Sequence, residues 1–170
     1  MNVAVNVSDR EFWHSDLLTQ MLNSLKRHNL TADRLTLEIT EAVIMRRPKV
    51  ALPLMREMHD AGIHLRIDDF GTADSSLDML HRFPVDAFKI DRSFIGALTT
   101  GDPNAELVRA IVAMGRALGL AVVAEGVEGV ETTEQLGFLQ EVGCATGQGF
   151  LFMPAVSGDQ AQDLLGRVLG

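Results

Sequence analysis

Short apolar runs alternate with longer amphipathic runs along the whole chain, and this alternation restricts the possible folds more than any other feature. Six apolar runs rich in valine, isoleucine and leucine are predicted as buried strands, at residues 3–7, 35–40, 64–70, 87–91, 121–127 and 147–152. A segment with helical spacing follows each of them. Strict alternation of strand and helix predicts an α/β fold with a parallel sheet covered by helices, either open or closed into a barrel.

The helical segments begin and end at recognisable signals. Ser8 and Glu11 have the spacing of a capping box, and a later helix is expected to begin near Pro103 and to end at Gly119. The remaining helices are predicted around residues 17–25, 48–60, 75–83, 131–142 and 158–169. No linker, charge block or low-complexity segment separates these units. We therefore expect a single domain of six strand–helix units.

Composition excludes several classes of protein. With 46% hydrophobic residues among 170, the chain can bury one substantial core. A net charge of −8 argues against binding of DNA or RNA polymers, which usually requires a basic face. No apolar run approaches the roughly 18 residues of a membrane span, and the N-terminus has no signal-peptide pattern. With a single cysteine, these features predict a cytoplasmic location.

Each predicted strand carries a polar or ionisable side chain toward its C-terminal end. In a parallel fold all these ends lie on one side, and in a (β/α)₈ barrel that side carries the active site. The residues are Asn6, Glu38 with Glu41, Asp68 with Asp69, Lys89 with Asp91, Glu125 with Glu128, and Gln148. Buried strands are otherwise apolar, so the repeated placement predicts a site.

Singly, most of these residues have an ordinary structural explanation. Asn6 and Gln148 fit turns, and Lys89 fits an ion pair with a nearby acid. The glutamates that follow residues 35–40 and 121–127 suit the first turn of a helix, where acids interact with the positive end of the dipole. Only the set as a whole favours a functional interpretation over these alternatives.

The adjacent aspartates Asp68 and Asp69 are the hardest to explain structurally. Neighbouring carboxylates repel one another, and burying either without a partner is costly. Two metal ions about 3.5–4 Å apart, as in two-metal phosphodiester hydrolysis, would remove both costs. The oxygen-rich set favours Mg²⁺ or Mn²⁺, and the five histidines form no zinc-binding motif. A lysine among these acids suits a phosphoryl oxygen or an attacking water.

Six motifs occur in the order and spacing of a known family. They read "VAVNVS", "LTLEITE", "IDDFGT" followed by "SSL", "FPVDAFKIDRSFI", "VVAEGVE" and "GCATGQGFLF". Throughout its length the chain resembles the EAL domain, a cyclic-di-GMP phosphodiesterase of bacterial second-messenger signalling in biofilm formation and motility. The resemblance implies a modified TIM barrel that hydrolyses cyclic-di-GMP to pGpG with Mg²⁺ or Mn²⁺.

The resemblance also implies a role for each strand-end residue. Metal ligation is implied for Asn6, Glu38, Asp68 and Asp69, with Asp68 bridging two metals. Two residues are implied to be catalytic. Lys89 would position the attacking water and the phosphate, and Glu125 would act as a general base or as an acid in the metal shell. A substrate or outer-shell role is expected for Glu128, Gln148 and Asp91, and Glu41 is expected to steady the loop after the aspartate pair.

The chain departs from the family pattern at its start and in one loop. The family's first two strands, which include the EAL motif with a metal-ligating glutamate and a nearby arginine, would precede Asn6. Residues 1–170 are therefore expected to be a partial domain that begins at the third barrel strand. A homodimer, a partner segment or a longer multidomain signalling protein is expected to complete it. In the loop, Ala73 and Asp74 replace the usual Gly-Tyr.

Three functions are compatible with these observations. The first is a cyclic-di-GMP phosphodiesterase. The second is a degenerate EAL module that binds the dinucleotide or a protein without hydrolysis, which the expected loss of the EAL glutamate and arginine would favour. The third is another barrel enzyme with carboxylate-bound Mg²⁺ and a lysine base, as in the enolase superfamily, and the six ordered motifs argue against it.

Overall fold

The computed structural model describes residues 2–71, 77–96, 98, 103–125 and 132–162. The strands are β1 (Val3–Asn6), β2 (Leu35–Thr40), β3 (His64–Phe70), β4 (Ala87–Ile90), β5 (Ala121–Glu125) and β6 (Thr146–Gln148). The helices are α1 (Asp9–Phe12), α2 (Leu17–Arg27), α3 (Glu41–Arg46), α4 (Pro48–Asp60), α5 (Leu77–Arg82), α6 (Arg92–Gly96), α7 (Pro103–Leu118) and α8 (Thr133–Glu141). A 3₁₀ turn covers Ala32–Arg34, and residues 158–162 are helical.

The strands form one parallel sheet in the order β1-β2-β3-β4-β5-β6, so each strand pairs with its neighbour in the chain. Because a helical segment connects each strand to the next, the sheet curls into a half-barrel of the TIM type with its helices on one face. The fold expected from the alternating pattern is confirmed.

The two faces of the sheet differ in chemistry. Side chains alternate across a strand, so Leu37 and Ile39 lie on the face opposite to Glu38. The apolar face is fully buried at Ile67 and Phe88, and its residues form a single core with side chains of the helices. The concave face carries the polar residues at the strand ends. Because the helices cover the apolar face, the polar side chains of the strands lie on the concave face.

Local signals in the sequence predict most element boundaries. Ser8 and Glu11 form the expected capping box at the start of α1. The strands at residues 35–40 and 64–70 and the helix at 48–60 have the predicted bounds. Gly119 follows α7 with a φ of +71°, which a glycine adopts without strain.

The largest departure lies at the sixth strand. The predicted strand at residues 147–152 is shorter in the structure, where β6 ends at Gln148. The amides of Phe152 and Met153 both donate to the carbonyl of Gly149, so the chain turns there. The side chain of Phe150 is consequently exposed instead of lining the sheet.

Among the described residues, the outer strands β1 and β6 each pair with a neighbour on one side only. Residues of β1 and β6 are exposed, including Val3 and Val5. Completion of the sheet by a partner or by further chain remains a prediction. Within the described ranges, no helix combines the length and the hydropathy that crossing a membrane requires.

Candidate active site at the strand ends

The register of the sheet brings the predicted residues together at one end. Asn6 pairs with Glu38, Thr40 pairs with Asp68, and Glu125 pairs with Gln148. Because these strands are parallel, their carboxyl ends share one rim of the half-barrel. Five of the predicted residues that the structure describes therefore lie along this rim: Asn6, Glu38, Asp68, Glu125 and Gln148.

Lys89 on β4 is the centre of the cluster. Its ammonium nitrogen lies 3.1 Å from Oε2 of Glu38 on β2 and 3.2 Å from Oδ1 of Asp68 on β3. It also forms a short ion pair with Oε2 of Glu125 on β5. Lys89 is only 2% exposed, so three carboxylates from three different strands surround one buried ammonium. The alternative of a simple pair with Asp91 does not describe this arrangement.

The charge state of Lys89 follows from its surroundings. Burial by itself lowers the pKa of the ammonium, but the hydrogen bond with Glu125 and the charges of Asp68 and Glu38 oppose this effect. The net result is a pKa above the usual lysine range. Lys89 is therefore a cation at neutral pH, which suits it to donate hydrogen bonds and to stabilise negative charge, and not to act as a base.

Glu38 has a second cationic partner, Arg66, which the sequence analysis missed. Nη1 of Arg66 lies 2.6 Å from Oε1 of Glu38, and the two residues are register partners on β3 and β2. Arg66 stands two positions before Asp68 and so lies on the same face of β3. Two-residue periodicity within "LRIDDF" was the signal that could have identified it.

The aspartate pair lies where the regular pairing of β3 is interrupted. The register shifts between Ile67 and Phe70, and Asp69 has a φ of +54°. The amide of Asp69 donates to Oδ1 of Asp68 at 3.0 Å. Burial first, and then the charges of Asp68 and Asp91, raise the pKa of Asp69. The irregularity thus coincides with two adjacent carboxylates that repel one another and with a strained backbone at Asp69.

Other predicted residues lie at the periphery of the cluster. Nε2 of Gln148 is 3.4 Å from Oε1 of Glu125, so these side chains meet at the end of β5 and β6. Asn6 is exposed at the end of β1, beside Glu38 in register. Glu128 lies outside the described residues, and its predicted role stays a prediction.

Asp91 and Glu41 contact backbone near the rim. Oδ1 of Asp91 accepts a hydrogen bond from the amide of Ser93 at 2.9 Å, at the start of α6. Oε2 of Glu41 accepts one from the amide of Gly71 at 3.4 Å, and Glu41 is only 1% exposed. This contact joins the start of α3 to the residue after the aspartate pair. It is compatible with the loop-steadying role predicted for Glu41, which stays a prediction.

The donor set suits a hard divalent cation in chemistry and in charge. Carboxylates of Glu38, Asp68, Asp69 and Glu125 face the cations Lys89 and Arg66, which leaves a formal surplus of two negative charges. A divalent cation would neutralise this surplus. Yet among the described residues no three His, Cys, Asp or Glu side chains are already arranged to hold a metal ion. Glu38, Asp68 and Glu125 are instead gathered around an ammonium.

Comparison with known proteins identifies relatives of this chain. The family model described as "EAL domain" matches residues 1–155. The chain is 45% identical over 157 residues to a bifunctional diguanylate cyclase/cyclic di-GMP phosphodiesterase, MucR, of Pseudomonas aeruginosa. That match covers 91% of this chain and 22% of the relative, so the chain spans about a fifth of the relative's length.

Solved structures agree with the family model. A structure of the MucR phosphodiesterase in complex with c-di-GMP has a TM-score of 0.86 at 42% identity, covering 94% of this chain and 64% of that one. The EAL domain of Mycobacterium smegmatis DcpA has a TM-score of 0.90 at 34% identity, covering 98% and 74%. Klebsiella pneumoniae BlrP1, solved as a manganese/cy-diGMP complex, has a TM-score of 0.79 at 31% identity, covering 88% and 38%.

Proposed function

Because the chain belongs to the EAL domain family, we propose that it is a cyclic-di-GMP phosphodiesterase domain that hydrolyses one phosphodiester to give pGpG. The observation that carries the proposal is the buried ammonium of Lys89 among Glu38, Asp68 and Glu125. Similarity to relatives named as cyclic di-GMP phosphodiesterases supports the choice of substrate. The similarity to a c-di-GMP complex supports it further.

We assign metal ligation to the oxygen-bearing residues at the ends of β1, β2 and β3, which are Asn6, Glu38, Asp68 and Asp69. Bound Mg²⁺ or Mn²⁺, as a pair, would supply an activated water and stabilise charge on the phosphate. The surplus of negative charge in the cluster supports the assignment, as does the similarity to a protein solved with manganese.

The remaining cluster residues have roles that follow from their charge states and contacts. Lys89 holds a positive charge at the rim and can donate to a phosphoryl oxygen or orient a water. Glu125 accepts a hydrogen bond from Lys89, which places its carboxylate beside the water that Lys89 would orient, and we assign it the role of base for that water. Gln148 contacts Glu125 and can orient that carboxylate. Glu128 and Asp91 complete the proposed outer shell, and Glu41 supports the loop through Gly71.

Incubation of the chain with cyclic-di-GMP and Mn²⁺, followed by chromatography for pGpG, tests the proposal. We expect turnover that disappears with EDTA and falls at least about a hundredfold in Glu125→Gln, since a positioned base contributes about 10²–10⁴-fold. Glu106→Gln on α7 is a matched control, because Glu106 is an exposed residue on the helical layer and should leave turnover unchanged. Binding of cyclic-di-GMP without pGpG would reject the enzyme assignment for this chain.

The second candidate is a degenerate EAL module that binds the dinucleotide or a protein partner without hydrolysis. The specific observation in its favour is that both oxygens of Glu38 contact side-chain cations, Arg66 and Lys89. In this case cyclic-di-GMP would bind in EDTA as tightly as in Mn²⁺. Isothermal titration under both conditions distinguishes the two candidates, because the phosphodiesterase assignment predicts metal-dependent behaviour.

We also propose that residues 1–170 act as part of a larger assembly in the cytoplasm. The relatives are several times longer than this chain, which supports a place within a longer multidomain signalling protein. The open edges at β1 and β6 support completion by further chain or by a second copy. Analytical ultracentrifugation of the chain would test self-association, and a concentration-independent monomer would reject the homodimer.

A further inference from the structure

We propose that Arg66 is an internal cation that competes with a divalent metal for Glu38 and thereby lowers the affinity of the strand-end carboxylates for that metal. The inference rests on the metal-dependent function proposed above. It concerns a residue of this chain that none of the six motifs brought to attention, and it assigns that residue a positioning role exerted through Glu38.

The geometry of Glu38 is the first support. One carboxylate oxygen, Oε1, accepts a bond from Nη1 of Arg66 at 2.6 Å, and the other, Oε2, lies 3.1 Å from Nζ of Lys89. Glu38 is only 5% exposed, so solvent does little to weaken these interactions. A metal ion ligated by Glu38 must therefore displace or share a charge-assisted hydrogen bond that already exists.

The placement of Arg66 is the second support. Strand β3 alternates between fully buried residues, Leu65 and Ile67, and partly exposed ones, Arg66 and Asp68. Arg66 is thus on the concave face with Asp68, one step deeper in the sheet than the rim. Among the described residues, its buried Nε atom has no hydrogen-bond partner. The guanidinium of Arg66 therefore offsets the negative charge of Glu38, while its own Nε atom stays without a hydrogen-bond partner among the described residues.

The contact between Arg66 and Glu38 predicts the direction in which Arg66 changes the affinity for a divalent metal. A metal ion that ligates Glu38 through Oε1 must displace the guanidinium of Arg66, and the loss of that charge-assisted hydrogen bond should lower the affinity for the metal by about tenfold. Replacing Arg66 by Met, an unbranched and uncharged side chain, should therefore tighten metal binding. Lys89 still partners Glu38 in such a variant, so the carboxylate is not left unpaired.

Isothermal titration with Mn²⁺ alone, using the whole chain without nucleotide, measures this affinity. We expect Arg66→Met to bind Mn²⁺ about tenfold more tightly than the wild-type chain, and Arg66→Lys, which keeps the charge, to differ from wild type by less than about threefold. Arg109→Met is the matched control, because Arg109 pairs with Glu141 at 2.9 Å on the helical layer. The affinity of this variant for Mn²⁺ should stay within about twofold of wild type.

A second background tests whether Arg66 acts through Glu38. In Glu38→Gln, the change from Arg66 to Met should tighten Mn²⁺ binding by less than about threefold, because the carboxylate for which the arginine competes is gone. An undiminished effect there would overturn the proposal. Where circular dichroism finds Arg66→Met unfolded, Arg66→Gln, which retains a hydrogen-bond donor, replaces it in both backgrounds.

The outcomes separate this inference from the proposed function. Wild-type binding of Mn²⁺ with unchanged affinity in Arg66→Met overturns the inference alone, and a lower melting temperature without tighter binding assigns Arg66 a purely structural role. Failure of wild type and of every variant to bind Mn²⁺ overturns both the inference and the metal-dependent function. Binding by Arg66→Met where wild type binds none would be the strongest support.

Discussion

Nζ of Lys89 and Oδ1 of Asp68 lie 3.2 Å apart on the adjacent strands β4 and β3, with Lys89 almost completely buried. Lys89 is predicted to orient the water and the phosphate, and Asp68 is predicted to ligate a metal ion. Because the two side chains form an ion pair, substitution of either residue leaves the other charge without this partner and also removes a predicted functional group. Stability and activity at this rim are consequently coupled.

Replacement of Lys89 by Met should destabilise the chain by about 3 kcal/mol, because it leaves Glu38 and its neighbouring carboxylates without their shared cation. Urea unfolding at neutral pH measures the loss. The matched exchange Lys26→Met, at an exposed position in the last turn of α2, should change stability by less than about 0.5 kcal/mol. Equal effects of the two exchanges would contradict the central role of Lys89.

Mn²⁺ should stabilise the wild-type chain against heat. At a free concentration about 100-fold above its dissociation constant, a ligand of the folded state adds about 2.7 kcal/mol, which corresponds to about 5–10 °C for a chain of this size. Asp68→Asn should remove most of that shift, and the exposed Asp60→Asn at the end of α4 should retain it. Differential scanning fluorimetry with Mn²⁺ or EDTA measures both, and a full shift in Asp68→Asn would argue against ligation by Asp68.

Alanine substitution of two glycines should have opposite effects. Gly71 has a φ of +104°, and an added Cβ would lie 2.9 Å from Cε2 of Phe94, so Gly71→Ala should cost about 1–3 kcal/mol. Gly137 lies inside α8 with nothing within 4 Å of such an atom, and Gly137→Ala should add about 0.5–1 kcal/mol. Chemical denaturation of the two variants checks the signs, and tolerance of Gly71→Ala would contradict the strained backbone next to the aspartate pair.

Cys144 should make stability depend on pH in the alkaline range. The thiol is 8% exposed, and burial raises its pKa above the usual range. Between the ordinary thiol pKa of about 8.5 and the raised value, the unfolded chain ionises first and the folded chain holds more protons, so stability falls as pH rises. Unfolding from pH 7.5 to 10 should show this fall, and Cys144→Ala should reduce it. An identical pH slope in the variant would contradict the assignment.

The sequence predicts which residues lie on the rim of the half-barrel, but not the distances between their side chains. Asn6, Glu38, Lys89 and Gln148 lie on the rim because strand ends in a parallel sheet share one side, and strand ends can be recognised locally. Distances between strands depend on register, which spans segments far apart in the chain. For that reason the sequence predicts Lys89 among acids, whereas its contacts of 3.1 Å with Glu38 and 3.2 Å with Asp68 depend on the register of the sheet.

The ion pair of Arg66 with Glu38 depends on contacts between strands that local sequence patterns do not contain. The position of Arg66 two residues before Asp68 was available from periodicity, but its pairing with Glu38 required the register of β2 against β3. The strained φ of Asp69 was likewise hidden, because it arises where the pairing of β3 with β4 shifts. The sixth strand was predicted too long because the turn at Gly149 depends on backbone hydrogen bonds that apolar composition does not indicate.

By itself the sequence determined the alternation of six strands and helices, the capping box at Ser8 and the identity of the strand-end acids. These features depend on local spacing and composition, which are written along the chain. Only the tertiary structure decided that Lys89 would be surrounded by three carboxylates and that Glu38 would be shared with Arg66. Those relationships depend on curvature and register, because contacts between side chains on different strands exist only once the sheet has formed.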